Sequence, residues 1–144
     1  MNLLVISCSL NPGSRSRLLA EAITNYLEAD GFTVGSLDLR KTQMPLCDGS
    51  STTSSEILTS LHNRIKTSHG IVMCVPIYNF DVNAAAKNLI ELTGPSWTGK
   101  VVGFACAAGG KSSYMSVMGV ANSLMLDFRA HIIPRFVYAT GESF

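Results

Sequence analysis

Ser9-Leu-Asn-Pro-Gly-Ser-Arg-Ser-Arg17 brings serine hydroxyls, a Pro-Gly turn and two guanidinium groups together between an apolar run, Leu3–Cys8, and a helix-like stretch starting near Ser16. A strand that ends in small hydroxyl residues and turns into a helix aims unpaired backbone N–H groups and the positive helix end at one point. Such a junction can hold a phosphate. The same residue types also serve an ordinary helix start, so the segment alone leaves capping and phosphate binding both open. It has neither the Gly-x-x-x-x-Gly-Lys-Ser/Thr run of nucleoside triphosphatases nor the three spaced glycines of the dinucleotide fingerprint. Donors that are mainly hydroxyls suit a terminal monophosphate.

Two later segments carry related chemistry. In Pro76-Ile-Tyr-Asn-Phe-Asp81, Tyr78 and Phe80 can flank a planar ring, and Asn79 can both donate and accept hydrogen bonds. The same aromatics would equally serve a subunit contact or a helix cap. Ala107-Ala-Gly-Gly-Lys-Ser-Ser113 offers backbone bare enough for N–H groups to approach a flat heterocycle, although a Gly-Gly turn is by itself common.

The elements that must position these loops alternate. Leu3–Cys8, Phe32–Leu39, Gly70–Pro76, Lys100–Ala107 and His131–Tyr138 read as strands. Between them lie four helical patterns. The first, Ser16–Ala29, has its stripe at Leu19, Ile23, Tyr26 and Leu27; the second has Ile57, Leu58, Leu61 and Ile65 after a capping-box spacing at Thr53–Glu56. The third runs from about Asn83 to Leu92 and stops at Gly94-Pro95. The fourth, Tyr114–Phe128, carries Met115, Met118, Leu124, Met125 and Phe128, a set expected in the core. Pro134 argues that the fifth strand is a sheet edge. This alternation predicts an α/β fold, a doubly wound five-stranded parallel sheet with strand order 2-1-3-4-5. In that order the three loops converge at the carboxyl ends of the strands, where such sheets bind ligands.

Composition narrows the function. With 144 residues, 47% hydrophobic and 15% charged, the chain fits a single domain over residues 1–144, and a net charge of +1 offers no footprint for nucleic acid. No apolar stretch has membrane-spanning length and no signal-peptide pattern opens the chain, which predicts a cytoplasmic protein without a membrane partner. Cys8, Cys47, Cys74 and Cys106 form no Cys-x-x-Cys pair, which favours free thiols over a disulfide framework or zinc site. His62, His69 and His131 lack ligand spacing, so no metal site is expected.

Ser9–Ser16, Pro76-Ile-Tyr-Asn79 followed by Ala85-Ala-Lys-Asn88, and Gly99-Lys-Val-Val102 with Gly109-Gly110 together resemble the NADPH-dependent FMN reductase family of flavodoxin-like proteins. Nearly the whole chain takes part, and the resemblance is greater to FMN reductases that supply monooxygenases than to long flavodoxins; quinone and azo-dye reductases share the pattern. It implies FMN as cofactor and NADPH or NADH as co-substrate. Its phosphate would lie on Ser9, Ser14, Arg15 and Ser16, with Asn11 of the same loop also cofactor-binding, and with Pro76, Ile77, Tyr78, Asn79 and Phe80 lining the isoalloxazine and ribityl chain. Ala108, Gly109, Gly110 and Lys111 would meet the pyrimidine edge. Hydride would pass directly to flavin N5, so no catalytic side chain is required, and electrons would go on to a flavin, quinone or similar small acceptor. A homodimer or homotetramer is expected. Departures from the family pattern are Asn11 in place of an Arg, with Arg15 or Arg17 compensating, and the bulky Phe80 after Tyr78-Asn79. A third is a chain that stops six residues after Tyr138, with the last helix missing or shortened. The alternatives are a flavodoxin-like electron carrier that does not oxidise NAD(P)H, which the net charge of +1 disfavours, and a flavin-free interaction domain.

Overall fold

The computed structural model describes residues 1–50 and 55–144. In chain order the elements are β1 (Asn2–Ser7), α1 (Arg15–Ala29), β2 (Thr33–Asp38), α2 (Glu56–Thr67), β3 (Gly70–Tyr78), β4 (Asp81–Val82), α3 (Ala84–Thr93), β5 (Val101–Ala107), α4 (Met118–Phe128), β6 (His131–Ile132) and β7 (Val137–Ala139). The sheet runs β2-β1-β3-β5, with β6 and β7 both on the outer side of β5. All these pairings are parallel; β4 alone turns back antiparallel on β3. The order predicted from the alternation is therefore present, with the fifth strand divided. His131 and Ile132 pair with Val101 and Val102, and Val137 to Ala139 pair with Ala105 to Ala107. Pro134 falls in the gap, where a residue that lacks an N–H and has a fixed φ interrupts the ladder at the sheet edge.

Both faces of the central strands are covered, which explains their continuous apolar sequence. On one face α1 lays Ala20, with Leu19, Ile23 and Leu27, over Val5, Cys74 and Ala105. The opposite face holds the larger core, in which Leu4, Ile6, Met73, Val75 and Phe104 meet Leu58, Leu61 and Ile65 of α2, Leu89 of α3 and Leu124 of α4. Tyr26, expected in the stripe of α1, is instead 73% exposed. Helix α1 stops at Asp30, and Gly31 then takes φ +86, a conformation that costs glycine little. Ser55 caps α2 through its hydroxyl, which accepts from Leu58 N–H; the capping-box position Thr53 lies outside the described residues.

The fourth helical pattern needs correcting. Lys111–Val117 is a 3-10 helix with a break at Ser113, and the α-helix begins only at Met118. Three residues per turn shift the apolar stripe out of register with an α-helix. Val117, Val120, Ala121 and Leu124 consequently face the core, while Met115 is 60% and Met125 38% exposed.

Cys8, Cys74 and Cys106 are buried free thiols, and Cys47 is half-buried. Burial pushes Cys8 well up, and pushes Cys74 and Cys106 up to about 12, with Cys106 adding to the effect on Cys74. At neutral pH these groups are protonated and offer no thiolate. Their folded pKa values exceed the ordinary thiol value of about 9, so above that pH the unfolded chain releases protons that the folded chain keeps, and stability falls as pH rises toward 12. Thermal midpoints are expected to drop between about pH 8 and 11, and to drop less in a Cys74→Ala, Cys106→Ala variant. A wild-type profile that stays flat would count against this coupling.

Candidate active site

At the carboxyl edge of the sheet the three loops enclose a cleft of about 230 Å³. The first loop leaves β1 in register with β3, because Cys8 N–H donates to Cys74 O at 3.0 Å. Side chains then shape it from within. Asn11 N–H donates to Ser9 Oγ at 3.2 Å, and Gly13 N–H donates to Asn11 Oδ1 at 2.9 Å, a local Asx turn. Ser14 caps α1, accepting from Arg17 N–H at 3.3 Å, and its Oγ lies 2.8 Å from Ser16 Oγ. Ser9, Ser14 and Ser16 are all buried, yet all three line the cleft with Asn11, Gly13 and Arg15.

The two arginines differ. Arg15 lines the cleft, with its guanidinium carbon 5.7 Å from the centroid of the Phe144 ring. Arg17 turns along the helix instead, paired with Glu21 at 3.0 Å and donating to Pro12 O at 3.5 Å, and it does not line the cleft. Arg15 is therefore the cation available to compensate for Asn11. Among the described residues no carboxylate lines the cleft, and the first turn of α1 contains no acidic residue. Hydroxyl donors, helix N–H groups and one cation make the cleft complementary to an anion.

Pro76, Ile77 and Tyr78 form the second wall. Beyond them Asn79 and Phe80 make the two-residue turn between β3 and β4, with φ of 52° and 61°. Positive φ at both positions is the hairpin geometry that Asn tolerates and a bulky Phe adopts under strain. Neither Asn79 nor Phe80 lines the cleft, and Phe80 is 67% exposed at the tip of the turn. In the third loop Ala107, Ala108 and Gly109 line the cleft, whereas Gly110 and Lys111 lie beyond it. Lys111 Nζ stands 3.6 Å from Glu142 in a fully solvated pair that adds little.

Sequence reasoning did not single out Gly13 and Ala107, nor two residues that hold the loops. Asn83 has the position and type of a helix cap but makes no capping bond; its Nδ2 donates to Cys8 O at 2.7 Å and ties the first loop to the start of α3. Its buried Oδ1 has no partner among the described residues. Tyr138 Oη donates to Gly110 O at 2.7 Å from β7. Neither has a local sequence signal, because each acts across a large sequence separation. Among the described residues no group of His, Cys, Asp or Glu is placed to hold a metal ion.

The chain is 29% identical over 150 aligned positions to the NAD(P)H-dependent FAD/FMN reductase of Geobacillus thermodenitrificans (strain NG80-2), spanning 100% of this chain and 80% of that protein. It is 26% identical over 143 residues to the NADPH azoreductase of Bacillus sp. (strain OY1-2), covering 98% of this chain and 78% of the relative. In fold it is similar to an oxidoreductase from Corynebacterium diphtheriae, with a TM-score of 0.81, 24% identity, and coverage of 99% of this chain and 83% of that one. The family model for NADPH-dependent FMN reductase matches residues 1–144. With the flavodoxin-like sheet and its anion-complementary cleft, that match places the chain in the NADPH-dependent FMN reductase family, as an FMN-dependent NAD(P)H oxidoreductase.

Proposed function

We propose that the cleft binds FMN, with its phosphate on the hydroxyls of Ser9, Ser14 and Ser16 beside Arg15 at the start of α1. The observation that carries this is the donor set: three buried serine hydroxyls at a helix N-terminus in a cleft without carboxylates. The third loop fits a flat ring as well, since a Cβ added at Gly109 would meet no atom within 4 Å. Ile77 and Tyr78 border the ring, and Asn79 and Phe80 rim it from the hairpin tip.

Bound FMN supplies the redox chemistry, taking hydride from NADPH or NADH and passing electrons to a quinone, azo compound or free flavin. The protein's part is to bind and orient. Ser14 and Ser16 share one hydrogen bond, which uses one of their two hydroxyl protons and leaves the other for the anion, and the first-turn N–H groups of α1 add their partial positive charge without reorganising. Tyr78, 49% exposed, leaves the wall of the cleft open to a second planar reactant.

The protein acts as a homodimer or homotetramer in the cytoplasm. Exposed Met115 in the 3-10 stretch and Met125 and Leu126 of α4 provide apolar surface that a second copy would cover, and the free thiols suit a reducing compartment. Among the described residues no helix is long and apolar enough to cross a membrane.

Anaerobic mixing of the FMN-loaded protein with NADPH or NADH tests the reading. Rapid loss of the flavin's visible absorbance, restored by added quinone or azo dye, is the expected result. Protein that takes up no FMN, or bound FMN that neither nucleotide bleaches, would defeat it.

A further inference from the structure

We propose that the Tyr138 hydroxyl is the positioning group that fixes the third loop at Gly110 and so holds Gly109, which lines the cleft, against the flavin ring, an inference that rests on the flavin reading above. Tyr138 lies in β7, paired with Cys106 of β5, and its ring packs edge-on against Tyr114 at 5.4 Å between centroids. The hydroxyl is thus a fixed post on the sheet. It donates to Gly110 O at 2.7 Å and lies 2.6 Å from Ser113 Oγ. A phenol has one proton, so with that proton on the Gly110 carbonyl, Ser113 must donate to the phenolic oxygen. One side chain therefore grips the loop at two points.

The loop needs such a grip. Two adjacent glycines lose more conformational freedom on ordering than any other pair. Ala108 N–H donates to Ala139 O at 2.9 Å, but among the described residues no comparable bond ties Gly109 or Gly110 N–H to another backbone carbonyl. Gly110 begins the 3-10 helix without a side-chain cap, and Lys111 reaches only the exposed Glu142. In a trans peptide the C=O of one residue and the N–H of the next point in opposite directions. Holding the Gly110 carbonyl on Tyr138 consequently fixes the Gly110–Lys111 peptide plane and turns the Lys111 N–H away from the Tyr138 hydroxyl. Amides held in place beforehand stabilise negative charge on a reduced ring without a reorganisation cost.

Tyr138→Phe separates this role from packing. It keeps the ring against Tyr114, and the Gly110 carbonyl, which is exposed, can bond to water instead. The thermal midpoint is therefore expected to change little. Two other readouts are expected to move. In the flavin-free protein, hydrogen exchange at the amides of residues 113–117, which donate within the 3-10 turns that start from Gly110, should quicken about tenfold, the weight of one hydrogen bond. In the FMN-loaded protein, reduced FMN should lose about tenfold in affinity relative to oxidised FMN, a midpoint potential about 30 mV lower. Ser113→Ala should move both in the same direction, by less.

Wild-type protein that binds no FMN overturns the flavin reading and this role with it. Wild type that binds FMN, with exchange unchanged in Tyr138→Phe, overturns this inference alone. Faster exchange at an unchanged potential also overturns it, because the hydroxyl would then order the loop without serving the flavin.

Discussion

Replacing Ser14 with Asp is expected to weaken FMN binding by about a hundredfold or more while leaving α1 in place. Asp is as good a helix cap as Ser; its carboxylate can accept the Arg17 N–H as the native hydroxyl does, and a hydrogen bond from the Ser16 hydroxyl as well. A negative charge at the start of a helix that has no acidic residue in its first turn is also favourable in the free protein. The phosphate reverses that balance. Like charges about 4 Å apart at an effective dielectric of about 20 repel by roughly 4 kcal/mol, and even a third less leaves about a hundredfold. Riboflavin has the ring without the phosphate, so its affinity is expected to stay within about threefold of wild type. Arg15→Ala should affect FMN in the same sense but more weakly, because its guanidinium is exposed and shared with Phe144. Flavin fluorescence titrations measure both ligands, and circular dichroism checks the helix. Equal losses of FMN and riboflavin would put the phosphate elsewhere.

That experiment probes the part of the site most legible in the sequence, for a physical reason. The proposed phosphate cradle at the β1–α1 junction is a local device: its hydroxyls, turn and helix start lie within a few residues, and each contact from Ser9 to Arg17 spans no more than five positions. The order of the parallel strands was legible because the apolar strands are continuous and the helices regular. What stayed hidden depends on distance in the chain. Asn83 reaches Cys8 across 75 positions and Tyr138 reaches Gly110 across 28, so neither bond leaves a local pattern. The methionine stripe misled because its periodicity assumes an uninterrupted α-helix, and the 3-10 stretch before Met118 rotates Met115 to the surface. Asn79 and Phe80 were expected near the ring on residue type, and in the structure they form the two-residue turn and do not line the cleft.

Trp97→Ala is expected to produce the complementary result, a large loss of stability with the cleft intact. Trp97 is fully buried in the 3-10 turn Gly94–Trp97, just ahead of β5 and at the end of the sheet opposite the cleft. Its indole Nε1 donates to Thr93 Oγ1 at 2.9 Å, and that hydroxyl donates to Leu89 O at 2.6 Å. Packing beside it leaves little slack, since a Cβ added at the neighbouring Gly94 would stand 2.8 Å from the Phe128 ring. Truncating the indole leaves a cavity that such surroundings cannot close, a change worth about 3–5 kcal/mol. Against a total stability of roughly 5–15 kcal/mol for a domain, that lowers the thermal midpoint by many degrees. Trp97→Phe retains most of the volume and should fall between the two. At temperatures where each variant is still folded, FMN affinity is expected to stay within about twofold of wild type, because residues this far apart usually act independently. Thermal melts followed by circular dichroism, paired with FMN titrations, decide the point. A marked loss of FMN affinity in folded Trp97→Ala would mean that the base of β5 sets the geometry of Ala107, Ala108 and Gly109 at its other end.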